Sequence, residues 1–298
     1  MTSVTDDSKT PTAIASDATE PAGASCPQDA PASNDTVTKT FVVAFLLCLV
    51  CSVFVSLAAV GLKDAKEANK KLDLQRNLLK AAGLVDKKAP DEVVKREFAK
   101  IEPRVIEFET GEYVEASVVD PTTYDQKKAE RDPAQSVELE SVEDIAGVRR
   151  RAKYGLVYLA KSDGKLTSVI LPIHGYGLWS TLYGFVALDA ADLSTINGLG
   201  YYQHAETPGL GGEVDNEKWL AQWKGDRGKK RVFDAEGNVS IEIIKGIVVD
   251  NAPSSEHQID GLAGATITSR GVNNMFQYWL GPQGFGPFLN KLKAGTNE

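Results

Sequence analysis

The amino-acid sequence predicts a single N-terminal transmembrane helix followed by a mixed α+β domain built from a sheet and helices. Three observations predict this fold class. Residues 41–62 contain no charged side chain, residues 155–171 contain two β-rich segments around a turn signal, and a glycine-rich stretch at 260–265 leads into an amphipathic segment. Uncharged runs of this length are typical of membrane spans, whereas strand and helix patterns in one region indicate a mixed domain.

The chain begins with an acidic leader, residues 1–38, which is rich in Ala, Ser, Thr, Pro and Asp. Such a segment has too few large apolar side chains to offset the entropy lost on ordering, so we expect disorder there. The transmembrane helix is expected at residues 39–62, because the 22 uncharged residues at 41–62 are long enough to cross a hydrocarbon core of roughly 30 Å. A cleaved signal peptide is the alternative, but its apolar core is shorter, about 7–15 residues, and lies closer to the N-terminus.

The charges that flank the apolar run bear on its orientation. Lys9 and Lys39 are the basic residues before the run, among six acidic ones, whereas six basic residues follow it between positions 63 and 80. The positive-inside rule on its own therefore predicts a cytoplasmic C-terminal domain.

Residues 63–89 are expected to form a helical stalk, because apolar residues recur there at three- and four-residue spacing up to Gly83. The main domain is expected at residues 90–298, starting with a second helix at 90–100. Strands are predicted at 155–160 and 166–171, joined by a hairpin turn at 162–164, and at 183–188 and 239–244.

The composition argues against several functions. A net charge of −8 is unfavourable for nucleic-acid binding, which requires a clustered basic patch. No cysteine follows residue 51 and the three histidines are far apart, so no metal site is expected. The sequence suggests no nucleophile–base pair and contains no GxGxxG stretch, so no catalytic residue and no nicotinamide site are expected.

The most informative local sequence is DGLAGATITS at residues 260–269. Gly261 and Gly264 allow positive φ angles, and Thr268 or Ser269 could cap the helix that follows. Thr266 would then precede a helix N-terminus, where free N–H groups and the helix dipole favour an anion. From the residues alone, an anion site and a plain capping turn both stay open.

This stretch resembles the flavinylation motif of the covalent-FMN family, written roughly Asp-Gly-x-Ser/Thr-Gly-Ala-Thr/Ser. In that family a flavin transferase takes FMN from FAD and esterifies the FMN phosphate to the last hydroxyl of the motif. The resemblance implies that Thr266 carries the FMN, within a framework of Asp260, Gly264 and Ala265. The motif departs from the family pattern at Ala263, where Ser or Thr is usual.

Two further blocks extend the resemblance: LPIHGYGLWSTLYGFVAL at 171–188 and YQHAETPGLGGEV at 202–214. They are similar to the flavin-cradling segments of the C subunits of Na+-translocating NADH:quinone oxidoreductases. The G subunits of Rnf-type ferredoxin:NAD oxidoreductases share Gly-Tyr-Gly and Glu-Thr-Pro-Gly-Leu-Gly. However, SLAAVGLKD and LDLQRNLLKAAGL, in the anchor and the stalk, favour the quinone-reductase family. The similarity extends from about residue 38 to the C-terminus.

The resemblance also implies which other residues contact the flavin. These are Thr268, Tyr176, Leu178, Trp179, His204, Glu206, Thr207, Gly209, Leu210 and Gly211. Aromatic and apolar side chains suit the isoalloxazine ring, polar ones can hydrogen-bond its edge, and glycines expose backbone N–H groups. Trp219 and Trp223 are further candidates for the ring slot, although the domain core is the simpler place for two or three of the four tryptophans.

The function implied is that of a covalent-FMN electron-transfer subunit. The complex would couple NADH oxidation and ubiquinone reduction to Na+ translocation, with its other subunits and the lipid bilayer as partners. The family implies a single-pass protein of the cytoplasmic (inner) membrane whose flavin domain is periplasmic, where the flavin transferase acts, against the charge bias. Three alternatives stay open: an Rnf-type subunit, a membrane-anchored protein that binds flavin non-covalently, and a stand-alone respiratory or sensory flavoprotein.

Overall fold

The computed structural model describes residues 36–86 and 88–295. The leader expected at residues 1–38 therefore lies almost entirely outside the described part of the chain, and its disorder stays a prediction. The chain divides into two compact units, Met1–Gly61 and Leu62–Glu298.

The described part of the first unit contains one helix, α1, Val37–Gly61. Its 25 residues rise about 37 Å along the axis, and none of its side chains is buried. Within residues 36–86 and 88–295, α1 is the one helix that is long and apolar enough to cross a membrane. The predicted N-terminal apolar helix is therefore confirmed.

The second unit is a mixed α+β domain, as predicted. Its helices are α2 (Lys63–Ala81), α3 (Asp91–Phe98), α4 (Gln126–Ala129), α5 (Glu217–Trp223), α6 (Thr266–Leu280) and α7 (Gly286–Lys293). Its strands are β1 (Ile101–Glu107), β2 (Tyr113–Val114), β3 (Ser136–Glu138), β4 (Arg150–Ala152), β5 (Tyr154–Ser162), β6 (Lys165–Tyr176), β7 (Thr181–Asp189), β8 (Ile196–Gln203), β9 (Glu242–Ile243) and β10 (Gln258–Ile259). Two 3-10 helices cover Gly211–Asp215 and Ser255–His257.

Six of the strands form one antiparallel sheet in the order β2-β1-β5-β6-β7-β8. The β5–β6 hairpin closes through Asp163 and Gly164, whose φ angles of 50° and 77° are the positive values that a tight hairpin turn requires. This is the turn that the sequence predicts. The strands β3 and β4 pair antiparallel elsewhere, and β9 and β10 pair in parallel.

Both faces of the sheet are covered. In β6, Val169, Leu171 and Ile173 belong to the core cluster that includes the buried side of α6, whereas Ile170 belongs to the cluster under α2 and α3. This alternation follows from the two-residue period of a strand. Consequently α6 occupies one face of the sheet, and α2 with α3 occupies the other.

The segment predicted as a stalk begins with α2, which contributes to the domain core. Leu78 and Leu79 near its C-terminal end are fully buried against the sheet. The helix stops at Ala81, and Gly83 adopts the positive φ of 71° that is typical just after a helix C-terminus. The division into a stalk at 63–89 and a domain at 90–298 stays a prediction.

The sequence prediction misses three strands of the six-stranded sheet, β1, β2 and β8, and overestimates one strand elsewhere. Of the segment 239–244, only Glu242–Ile243 forms a strand. Gly198 and Gly200 obscure the sequence pattern of β8, because glycine is depleted in strands and so argues against a strand there. Packing explains why residue 198 is a glycine, because a Cβ there would overlap the carbonyl oxygen of Ala81 in α2.

This contact gives a direct stability prediction. Gly198→Ala should lower the free energy of unfolding by about 1–3 kcal/mol, because the added methyl group forces α2 away from the sheet. Gly200→Ala is the matched control, since its Cβ would meet Ala81 at an ordinary 3.6 Å. Chemical denaturation followed by tryptophan fluorescence measures both, and equal stabilities for the two variants would show that α2 is not packed as described.

Candidate functional site

Three segments that are distant in the sequence meet at one end of the sheet. They are the β6–β7 loop at 177–180, the segment 204–211 after β8, and the start of α6. Glycine permits this approach. A Cβ on Gly271 of α6 would overlap the carbonyl oxygen of Tyr176, and a Cβ on Gly177 would lie 2.7 Å from Oε1 of Glu206.

The carboxylate of Glu206 joins the three segments. It accepts hydrogen bonds from the backbone N–H groups of Leu178, Trp179 and Ser180 at distances of 2.9 to 3.2 Å, and from the Thr268 hydroxyl at 2.7 Å. The residue is 4% exposed. Burial acts to raise the pKa of Glu206, but the hydrogen bonds from Thr268 and from the loop outweigh it and hold that pKa below its usual value.

The start of α6 presents three hydroxyl side chains in different environments. Thr266 is the first residue of the helix and is exposed. Thr268 is 1% exposed and Ser269 is 8% exposed. Both of the buried hydroxyls are engaged, with Glu206 and with the backbone N–H of Leu262 at 3.4 Å, respectively.

The expectation that Thr268 or Ser269 caps this helix is wrong. The helix begins at Thr266, so both residues lie inside its first turn, and the capping position is Ala265, which offers no side-chain hydrogen bond. The first N–H groups of a helix have no partner within the helix. Since Ala265 provides no capping side chain, these N–H groups of α6 receive no hydrogen bond from the capping position next to the exposed Thr266.

A cavity of about 550 Å³ opens beside Thr266. One wall is the segment 261–264 with its positive-φ Gly264 (70°), and the opposite wall is the segment 243–247. Two cations, Lys245 and Arg270, line the cavity, and both are exposed. The sequence prediction omits both cations. The proximity of Arg270 to the motif was an available signal, but the position of Lys245 depends on the fold.

Asp260 organises the wall of this cavity from behind. Its carboxylate accepts hydrogen bonds from Arg227 at 2.8 Å and from the backbone N–H of Val248 at 2.7 Å, while its carbonyl oxygen accepts one from the Trp219 indole at 2.9 Å. Arg227 also contacts Asp250 at 2.8 Å. The first motif residue thus ties the segment 246–250 to the helix α5.

The remaining predicted polar residues have partners within the protein. His204 contacts Asp215 at 2.8 Å through Nε2, and its Nδ1 accepts the backbone N–H of Glu206 at 3.2 Å. The hydrogen bond to Asp215 raises the pKa of His204. The carbonyl oxygen of Thr207 accepts the N–H groups of Leu210 and Gly212, which closes the loop.

Two glycines and a leucine of that loop shape the site further. Gly209 has a positive φ of 77°, and a Cβ on Gly211 would lie 2.5 Å from the Thr268 hydroxyl oxygen. The Leu210 side chain, 44% exposed, lies over Gly264, since a Cβ there would meet it at 2.9 Å. The loop therefore bridges the buried Thr268 and the surface near Thr266.

The aromatic candidates fall into two groups. Tyr176, Leu178 and Trp179 expose 49%, 38% and 67% of their surface at this end of the sheet. Trp219 and Trp223 are buried in the core, where Trp223 stacks on Phe276 of α6 at 4.8 Å. The latter two tryptophans are thus structural and not available to line an open slot.

Comparisons with known proteins identify the same region. The family profile of the FMN-binding domain matches residues 177–281, which include all three converging segments. Among curated relatives, the C subunit of the Na(+)-translocating NADH-quinone reductase of Pseudomonas aeruginosa is 49% identical over 265 residues, covering 89% of this chain and 99% of the relative. The protein of the same name from Yersinia pestis is 48% identical, covering 90% of this chain and 97% of the relative.

Solved structures share the fold. The crystal structure of Shewanella oneidensis NqrC matches with a TM-score of 0.68 and 35% identity, covering 76% of this chain and 99% of that one. The crystal structure of the C subunit of the Na(+)-translocating NADH-quinone reductase from Parabacteroides distasonis matches with a TM-score of 0.57 and 25% identity, covering 76% of this chain and 96% of that one.

The Glu206 contacts predict an acid-sensitive stability. The folded-state pKa of Glu206 lies below its ordinary value of 4.5. The stability that the ionised carboxylate contributes is therefore fully present above pH 4.5, and it is lost as the pH falls through the lower folded-state pKa. Glu206→Gln should cost about 2 kcal/mol at neutral pH, in the range of a hydrogen bond to a charged group. It should also make unfolding less dependent on pH below about 4.5.

Urea denaturation at a series of pH values measures both effects. Glu236→Gln, which neutralises an exposed carboxylate in a loop, is the control and should behave like the unmodified protein. An unchanged acid dependence in the Glu206 variant would mean that the carboxylate is not held by these donors.

Proposed function

Because this chain belongs to the family of the C subunits of Na+-translocating NADH-quinone reductases, we propose that it carries FMN bonded through the phosphate to Thr266 and transfers electrons within such a complex. The observation that carries the covalent assignment is the contrast among the three hydroxyls of α6. Thr266 is exposed beside a cavity, whereas Thr268 and Ser269 are buried and engaged.

The residues around Thr266 fit a phosphate ester. Lys245 and Arg270 supply positive charge at the cavity, and the first N–H groups of α6 favour an anion at the same end of the helix. Gly264 holds a backbone conformation that residues with side chains rarely adopt, and its missing Cβ leaves room for the Leu210 side chain. A phosphate at this position would be both accessible and neutralised.

The chain's other residues would orient the cofactor and shield it in part. Leu178, Trp179 and Leu210 offer an exposed apolar surface for a planar ring, and the Glu206 carboxylate holds the backbone of Leu178 and Trp179 in place. Bound FMN would supply reversible electron transfer. His204, Glu206 and Thr268 would act by positioning, since their polar atoms are already paired within the protein.

The proposed partners and location follow from the family. We infer that the α1 helix anchors the chain in the cytoplasmic (inner) membrane, that the flavin domain is periplasmic, and that a flavin transferase modifies it there. The other subunits would carry out NADH oxidation, ubiquinone reduction and Na+ translocation. Long C-terminal domains translocate largely regardless of nearby charge, which is consistent with this orientation despite the lysines after α1.

One observation favours a second candidate, a membrane-anchored protein that binds flavin non-covalently. Ala263 lines the cavity beside Thr266 where the motif usually has Ser or Thr, so the cavity lacks a hydroxyl there. The Rnf-type electron-transfer subunit is the other alternative. The Pseudomonas and Yersinia relatives bear the quinone-reductase name, which disfavours it.

Covalent attachment has a simple test in the full chain co-expressed with a flavin transferase. Thr266→Ala should abolish flavin fluorescence from the denatured protein in a gel and the added FMN-phosphoryl mass, because no ester can form. Thr266→Ser keeps a hydroxyl and should retain both. If flavin stays on the denatured Thr266→Ala variant, the ester lies on another residue. If the protein without a substitution binds flavin when folded but loses it on denaturation, the non-covalent candidate is supported.

The two cations predict an electrostatic effect on modification. Lys245→Glu and Arg270→Glu should each slow flavinylation at least about tenfold at low salt, because each places a negative charge beside the incoming phosphate. Lys165→Glu, a reversal of an exposed lysine outside the cavity, is the control for net charge. The rates follow from the time course of in-gel fluorescence, and three equal rates would rule out a local role for these cations.

A further inference from the structure

A second cavity, of about 390 Å³, lies on the side of the sheet that faces α2. It shares no lining residue with the cavity at Thr266. It opens where β5 and β6 separate: their paired residues end at Tyr158 and Ile170. Beyond that point the backbone N–H of Leu156 donates to the side-chain oxygen of Gln126 at 3.0 Å, so α4 takes the place of the neighbouring strand.

Six side chains with aromatic rings line this cavity. The side chains that contribute rings are Tyr124, Tyr158, Tyr183, Phe185 and Tyr202, with His174. The rings of Tyr183 and His174 stack on each other at 5.3 Å with an angle of 24° between their planes, so these two side chains form one wall of the cavity. Aromatic surfaces of this kind favour planar partners, and the volume lies in the range of roughly 300–1,000 Å³ that is usual for small-molecule sites.

Polar groups at the cavity are incompletely paired. Within the described part of the chain, the hydroxyls of Tyr158 and Tyr202 have no hydrogen-bond partner. Glu130 accepts from Gln126 at 3.2 Å and lies 3.5 Å from Nε2 of His174. Burial raises the pKa of Glu130 to about 7 and lowers the pKa of His174 to about 3, so at neutral pH the histidine is uncharged and the carboxyl is partly protonated.

Charged groups of both signs surround the cavity. Lys70, Lys71 and Lys127 face Glu67, Asp125 and Glu130. The Lys127 ammonium lies 3.5 Å from the centroid of the Tyr183 ring and so already occupies the face that would attract a cation. An anion would meet the acidic residues. A neutral molecule therefore fits best.

We propose that this cavity is a second binding site, which takes a neutral planar ring that carries carbonyl oxygens. The hydroxyls of Tyr158 and Tyr202 donate to those oxygens, and the aromatic side chains of the lining pack against the ring. Quinone rings and isoalloxazine rings share this chemistry. The inference does not depend on the covalent flavin at Thr266, because the two cavities have separate linings.

The test uses the full chain in detergent micelles, expressed without a flavin transferase. Binding of 2-methyl-1,4-naphthoquinone and of lumichrome is measured by equilibrium dialysis against empty micelles of the same detergent. At least one ring should bind with a stoichiometry of one. Tyr158→Phe and Tyr202→Phe keep the rings and should each weaken binding about five- to tenfold through the lost hydrogen bond. Tyr113→Phe, outside the cavity, should have no effect.

A second variant tests the location. Leu74→Trp places an indole in the cavity from α2 and should abolish binding, whereas Leu72→Trp, on the same helix but outside the lining, should preserve it. Binding of the quinone alone or of lumichrome alone would support the site and identify its ring. The proposal is overturned if neither ring binds beyond the micelle blank, if Leu74→Trp binds normally, or if Trp179→Ala removes binding while Leu74→Trp does not.

Discussion

The buried carboxylate of Glu206 is the interaction on which the site depends. Four donors converge on it, three from the β6–β7 loop and one from Thr268 of α6. An ionised carboxylate is expensive to bury without such partners, so the loop and the helix are stabilised in one arrangement only as long as both donate to it. A single side chain therefore fixes the relative position of three segments that are distant in the sequence.

Two other features of the domain follow from that constraint. The segments must approach within hydrogen-bond distance, which leaves no room for side chains at Gly177 and Gly211. Behind the cavity wall, Asp260 plays a comparable part, since its carboxylate joins Arg227 to the backbone of Val248. The surface beside Thr266 is thus framed by two carboxylates that point inward, and its own charges are positive.

Local sequence patterns predicted part of the fold, but not every strand of the sheet, the cations beside Thr266 or the contacts of the polar residues. The apolar run, the Asp163–Gly164 hairpin and the β6 and β7 strands follow from local patterns. β8 does not, because Gly198 is there for a contact with α2 that only the fold reveals. The position of Glu206 near the flavin stays a prediction, and its burial with four donors, which the sequence did not reveal, shows that its carboxylate joins the loop to the helix.

Lys245 illustrates the same limit, because it lines the cavity beside Thr266 although it lies 21 positions away in the sequence. Ala265 at the capping position of α6 is a second example of this limit, since a helix can begin without a capping side chain when tertiary contacts hold its first turn. Local rules predict what a segment prefers. Long-range contacts decide which of its polar atoms remain available.

The unequal burial of the three hydroxyls on α6 has a consequence for biogenesis. In an unfolded chain Thr266, Thr268 and Ser269 would be equally accessible, so discrimination by burial exists only after the sheet and the helix have assembled. Maturation would then have a fixed order, with folding first and modification second. In that case covalent FMN would be present only on copies of the protein that have already folded correctly.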